Sequence, residues 1–242
     1  SAGQGAGAWF DNVTNLTIAS STISGNAAFN DGGGIYVEGD ITISDSTIWQ
    51  NTTFGDFNPG GGIFVDGAAT ILRSTISAND TTGNDSPGGG IHTEGDLTIT
   101  DSTISGNETF GTNSHGAGIA TASFFNGMVH ITGSTISGNT GHSAGADGGG
   151  LYQFSGTRQL DSSTIGGNGV NDDGGGLYLD GSVVADILHS TITGNTTNID
   201  MLTYGQGGGI SVRNQSVLNL HHTSVAGNRD QPNSPMLPEA QE

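Results

Sequence analysis

The sequence predicts an all-β fold, a right-handed single-stranded parallel β-helix (β-solenoid) of about eight coils, each built from three short strands. Three observations predict it. A motif of the form Ser-Thr-Ile-Ser-Gly-Asn recurs eight times, ending at Asn26, Asn51, Asn79, Asn107, Asn139, Asn168, Asn195 and Asn228, at intervals of 25, 28, 28, 32, 29, 27 and 33 residues. Between its copies runs a second signature, glycines followed by an aliphatic residue: Gly32-Gly33-Gly34-Ile35, Gly60-Gly61-Gly62-Ile63 and Gly88-Gly89-Gly90-Ile91, and on to Gly207-Gly208-Gly209-Ile210. Aliphatic residues keep a fixed place in every copy, and a period of roughly 20–50 residues is the mark of stacked repeats.

Residues 60–87 serve as the unit. Gly60, Gly61 and Gly62 open it as a turn in which positive φ costs nothing without a Cβ. Ile63-Phe64-Val65 alternates as the first strand, Asp66-Gly67 turns it, and Thr70-Ile71-Leu72 is the second. Ser74-Thr75-Ile76-Ser77 is the third, closing at Ala78-Asn79, and 80–87 reads as a variable loop. Such a unit is too short to bury a core alone. Stacked on copies of itself it buries one, each coil adding ~4.8 Å of height.

Stacking writes out three inward columns. The first is Ile35, Ile63, Ile91, Ile119, Leu151, Leu177 and Ile210. The second is Ile18, Ile43, Ile71, Ile99, Ile131, Leu160, Ile187 and Leu220, and the third Ile23, Ile48, Ile76, Ile104, Ile136, Ile165, Ile192 and Val225. β-Branched residues suit strands buried on one face. The asparagines make a fourth column at a turn, where side-chain amides hydrogen-bond along the stack. Insertions fall between the asparagine and the glycines, longest at 140–147 and 196–206, the kind of loop on which solenoids carry binding residues. The helix is expected over residues 1–229, with a proline-containing tail over 230–242 in which Met236-Leu237 could dock on a neighbouring molecule. Open strand edges at the ends of a solenoid favour association, so end-to-end self-association is expected.

Composition narrows the partners. Lysine is absent, arginine occurs only at 73, 158, 213 and 229, and 23 carboxylates leave a formal charge of −19. Such a surface repels nucleic acid and anionic lipid. No apolar run approaches the ~18 residues that span a bilayer, so neither nucleic-acid binding nor membrane insertion is expected. There is no cysteine, hence no disulfide framework and no thiolate metal site.

The pairing of a Gly-Gly-small-aliphatic motif with Thr-Ile-x-x-Asn resembles the repeats of chlamydial polymorphic outer-membrane proteins. It is similar also to large secreted bacterial β-helix proteins whose coils read STISGN, GGGI and LTI. The resemblance covers residues 1–228 and implies the β-helix fold and an extracellular or cell-surface location. It implies little about activity, because this fold hosts adhesins, lyases, hydrolases and structural fibres.

Several residues stand out as candidates for chemistry. Tyr36, Phe64, His92, Tyr152 and Tyr178 fall on the outer face of the first strand, interrupted by Ala120, and an aromatic column can stack on sugar rings or on a partner protein. Glu38, Asp66 and Glu94 sit in the turn after that strand, and Asp31, Asp85, Asp147, Asp172 and Asp173 lie just before glycines. Carboxylates with turn carbonyls are what Ca²⁺ prefers, which makes these eight the candidate metal ligands and Ca²⁺ the candidate ion. Asp45, Arg73 and Asp101 share one place in three successive coils and read as an ion triad along the ladder. His115-Gly116 and Asp172-Asp173 resemble the GHG and paired-Asp elements of polygalacturonases, but they lie two coils apart and have no Arg-x-Lys companion.

The reading is therefore an extracellular, non-enzymatic β-solenoid. It is a structural or adhesin-like element that stacks end to end and meets a glycan or cell-surface partner. A carbohydrate-binding or carbohydrate-active β-helix is the alternative.

Overall fold

The computed structural model describes residues 5–122, 127–201 and 205–231. It is a parallel β-helix whose coils begin at the glycine signatures: 5–31, 32–59, 60–87, 88–115, 116–147, 148–173, 174–206 and 207–231. Every strand pair is parallel and joins a residue to its counterpart one coil away. Ile63 pairs with Ile35 and Ile91, Ile71 with Ile43 and Ile99, and Ile76 with Ile48 and Ile104. Among the described residues no helix is long and apolar enough to cross a membrane.

The three aliphatic columns form the core. From the second coil to the seventh all their members are at most 1 % exposed. In the eighth coil Leu220 and Val225 keep the register but are each 45 % exposed.

From the third coil on, each coil carries four strands, not three; in the first two the opening strands run together as Ala8–Ala19 and Ile35–Ser44, and the added strand is again present. The fourth is a two-residue strand directly after the asparagine, such as Thr52–Thr53, Asp80–Thr81 and Glu108–Thr109, in the segment read as loop. Its second residue points inward: Thr53, Thr81 and Thr109 are fully buried. Their hydroxyls donate to carbonyls five residues on, at Asn58, Ser86 and Ser114, pinning the loop back on the coil. Two residues with a polar inward member show no alternation, which is why the strand is invisible in the sequence. The last such strand, Arg229–Asp230, carries the helix one residue past the expected boundary. Met236-Leu237 lies outside the described residues.

The glycines serve two purposes. Gly60 has φ of +74°, the left-handed turn expected of the whole triplet. Gly61 and Gly62 do not have positive φ; a Cβ on Gly62 would sit 2.6 Å from the Gly90 carbonyl oxygen and 3.0 Å from the Asn79 side chain. They are glycine because adjacent coils close on each other there.

Candidate functional site

The asparagine column is a closed hydrogen-bond ladder. Asn79 Nδ2 donates to Asn107 Oδ1 at 3.0 Å and to the Ile48 carbonyl at 3.1 Å, and its backbone N–H donates to the same Asn107 oxygen at 3.0 Å. Its own Oδ1 receives the amide and backbone N–H of Asn51. All four side-chain bonding positions are therefore used, at full burial. A second ladder, which the sequence reading did not single out, runs through Ser46, Ser74, Ser102, Ser134, Ser163 and Ser190. Each hydroxyl accepts the backbone N–H of the preceding coil and donates two residues back along its own chain. Both columns are structural.

The aromatic column is in register, but it is not an open platform. Tyr36 stacks on Phe64 with centroids 5.1 Å apart, Phe64 on His92 at 5.5 Å and Tyr152 on Tyr178 at 5.4 Å, all within 10° of parallel. Tyr36, Phe64, His92 and Tyr178 are only 5–7 % exposed. Because the strands are one coil apart, the ring faces are consumed by the rings above and below. A sugar could stack only where the ladder breaks.

It breaks at Ala120. The residue that pairs with His92 on one side and Tyr152 on the other carries a methyl group instead of a ring. Beside it opens a groove of about 650 Å³ lined by Asp85, Pro87, His92, Glu94, Asn113, His115, Ala120, Thr121, Ala122, Tyr152 and Phe154. His115, from the end of the fourth coil, lies flat on Tyr152 with centroids 4.5 Å apart. The groove thus has aromatic walls, a small-residue floor and two carboxylates on its rim. The alanine was legible in the sequence as an interruption; the opening it leaves was not.

Both groove histidines are neutral. Burial holds His92 and His115 down at about 4. His115 Nδ1 accepts the backbone N–H of Asp147 at 3.1 Å, which puts its proton on Nε2. The 3.5 Å approach of Asp147 Oδ2 to the same nitrogen is therefore not an ion pair. Burial also raises Asp147 to about 7. His92 Nδ1 is buried with no hydrogen-bond partner.

The eight candidate metal ligands separate into three groups. Asp31, Glu38, Asp66 and Glu94 surround the edge of the aromatic ladder: Tyr36 donates to Glu38 at 2.9 Å, and Glu94 is raised by burial and by sharing a hydrogen bond with Asp66. Asp31, raised to about 6 by burial, has one buried oxygen without a partner. Asp85 stands apart on the groove rim, 3.4 Å from Asn113 Nδ2. Among the described residues, only Asp147, Asp172 and Asp173 form a group of three whose ligand-type oxygens all lie within 4.8 Å of one another. There the Arg213 guanidinium pairs with Asp173, and Asp173 also accepts the Gln206 N–H at 2.7 Å. A cation from the chain already meets these carboxylates.

Two further expectations change. The separation of His115 from Asp172-Asp173 is bridged by Asp147, since the residues before the glycines stack: the Asp147 N–H reaches His115 and the Asp173 N–H reaches Asp147 at 2.9 Å. The ion triad is instead a pair. Arg73 binds Asp45 through two 2.7 Å bonds, at an exposed turn, while Asp101 acts on it only at a distance.

A coil-by-coil parallel helix of this kind defines a class, and the chain belongs to it: the family model described as right-handed beta helix region matches residues 1–161. That membership supplies the right-handed sense of the winding. No curated protein and no solved structure matches the chain.

Proposed function

We propose that the protein is a non-catalytic, adhesin-like solenoid of the cell exterior that holds a neutral saccharide in the groove beside Ala120. The observation that carries this reading is the missing rung, which leaves an aromatic-walled space of about 650 Å³ between His92 and Tyr152. That volume lies within the roughly 300–1,000 Å³ of small-ligand sites. Asp85 and Glu94 on the rim disfavour uronates and sulfated sugars and offer acceptors to hydroxyls. The test is a glycan array read beside titration of tyrosine fluorescence, with Ala120→Tyr as the matched variant. Tyr152 occupies this rung in the next coil and His115 lies on its near face, so a tyrosine at 120 pushes that imidazole into the groove; the variant stays folded by circular dichroism and loses at least about tenfold in affinity (~1.4 kcal/mol). A ligand that binds the variant as well as the parent, or an array with no neutral glycan bound, removes the proposal.

The carboxylates beside the groove favour a second reading, glycan cleavage. Asp147, kept protonated toward neutrality, would act as acid, and Asp172 as its partner. Release of reducing ends by the parent protein and not by Asp147→Asn would support it. The asparagine ladder gives self-association a chemical form. Asn26 Oδ1 and the Asn228 backbone N–H have no described partner, so a second copy, or further coils of the same repeat, would be received in register.

A further inference from the structure

We propose that the eighth coil of one molecule stacks on the first coil of a second copy, in the register that coils keep within the chain, with Arg213 of the one beside Asp11 of the other. This contact rests on the self-association named above and is independent of the saccharide groove. Among the described residues Ala8–Ala19, the opening strand of the first coil, is paired on one side alone, with Ile35–Ser44. At the other end Ile210–Val212, Val217–His221 and Ser224–Ala226 pair only with strands of the seventh coil. The same aliphatic columns surface at both ends: Ile18 and Ile23 are partly exposed, and Leu220 and Val225 are each 45 % exposed. Unpaired strand edges and uncovered apolar columns gain most from a partner that repeats the coil.

Charge selects the orientation. The place just after the first-strand triplet is held by Asp11, Glu38, Asp66 and Glu94 in the first four coils, by Asp180 in the seventh, and by Arg213 in the eighth. Stacked coils lie ~4.8 Å apart, so a first coil laid on the eighth sets Asp11 against Arg213. The Arg213 side chain is 42 % exposed although it pairs with Asp173. Residues 207–231 carry Arg213, Arg229 and Asp230 and form the only coil with a net positive charge, whereas residues 5–31 carry Asp11 and Asp31. Two first coils, or two eighth coils, would meet with like charge.

One residue opposes the contact. The inward place of the short fourth strand is Ala28, Thr53, Thr81 and Thr109 in the first four coils and Thr197 in the seventh, but Asp230 in the eighth. Asp230 is exposed and accepts the Thr197 hydroxyl at 3.3 Å. A second copy would cover this carboxylate with Ala28, whose side chain offers no donor, and burying an unpaired carboxylate is costly. Inward-pointing charge at an open edge restrains stacking, so the association is concentration-dependent rather than permanent.

The chain has no cysteine, so introduced ones report the register. Thr22 and Ser224 are exposed members of one outward column, at opposite ends of the helix. A short bis-maleimide should join a mixture of Thr22→Cys and Ser224→Cys proteins into heterodimers and should join neither protein to itself. Sedimentation equilibrium at one fixed salt concentration should show Asp11→Arg weakening association about three- to tenfold and Asp230→Thr tightening it at least about tenfold. Both residues are exposed, so circular dichroism should not change. No cross-link in the mixture, or cross-linking of either protein with itself, would overturn the proposal. Association that ignores both substitutions would overturn it while leaving self-association standing. A parent and an Asp230→Thr protein that both stay monomeric would remove the two together.

Discussion

Asn107 concentrates what single residues do in this molecule. Its Oδ1 accepts from the Asn79 backbone and amide, and its Nδ2 donates to Asn139 and to the Ile76 carbonyl. Asn107→Ala would strand donors above and acceptors below in a dry interior. The expected loss is about 2–4 kcal/mol by urea denaturation, against less than about 0.5 kcal/mol for an exposed surface alanine substitution. Asp147 sets a pH dependence. Its folded pKa of about 7 stands above the ordinary carboxylate value of 3.8, so the folded state binds more protons between those values and stability falls as pH rises through them. Asp147→Asn should therefore match the parent at pH 4 and exceed it at pH 8 by on the order of 2–4 kcal/mol. His92 and His115, held near 4, give the opposite slope between about 4 and the ordinary imidazole value of 6.5 in both proteins, so the difference between the two curves isolates Asp147. Equal stabilities at pH 8 would show that Asp147 is ionised without penalty.

At the scale of the strand, the third-strand isoleucines are each the floor of one coil and the ceiling of the next. Ile104 is fully buried between Ile76 and Ile136. Ile104→Asp would place an unpaired carboxylate there and should unravel the middle coils. Hydrogen exchange should lose protection first at Thr75–Ser77 and Thr135–Ser137, the strands on either side. Protection lost only at the two end coils would contradict the stacked core. The ladder of rings obeys the same logic on the outside. One alanine in place of a ring opens a groove because its neighbours are held at coil spacing and cannot close over it.

For the whole molecule, stacking multiplies charge as well as contacts. A formal charge of −19 sits on a surface where carboxylates recur coil after coil, as in Asp31, Glu38, Asp66 and Glu94. Repulsion of this kind is screened when the Debye length falls from roughly 30 Å at 0.01 M salt to about 8 Å at 0.15 M. The thermal midpoint should rise over that range in sodium gluconate as in sodium chloride. A midpoint indifferent to gluconate would mean that the surface charges are already balanced.

The winding, its period, the three aliphatic columns and the asparagine ladder were legible in the sequence alone. Stacked repeats write the same constraint many times, and a β-branched or amide column has one physical use. The tertiary structure decided the rest. It showed that the outer rings spend their faces on each other, that Gly61 and Gly62 are excluded from having a Cβ by the next coil, and that a short fourth strand hides behind Thr81. It alone brought Asp147 between His115 and Asp173, and it alone put Arg158 among aliphatic side chains. Those facts depend on distances between residues 26 to 32 positions apart in the chain. Local pattern carries no information about such distances until the coils are laid one on another.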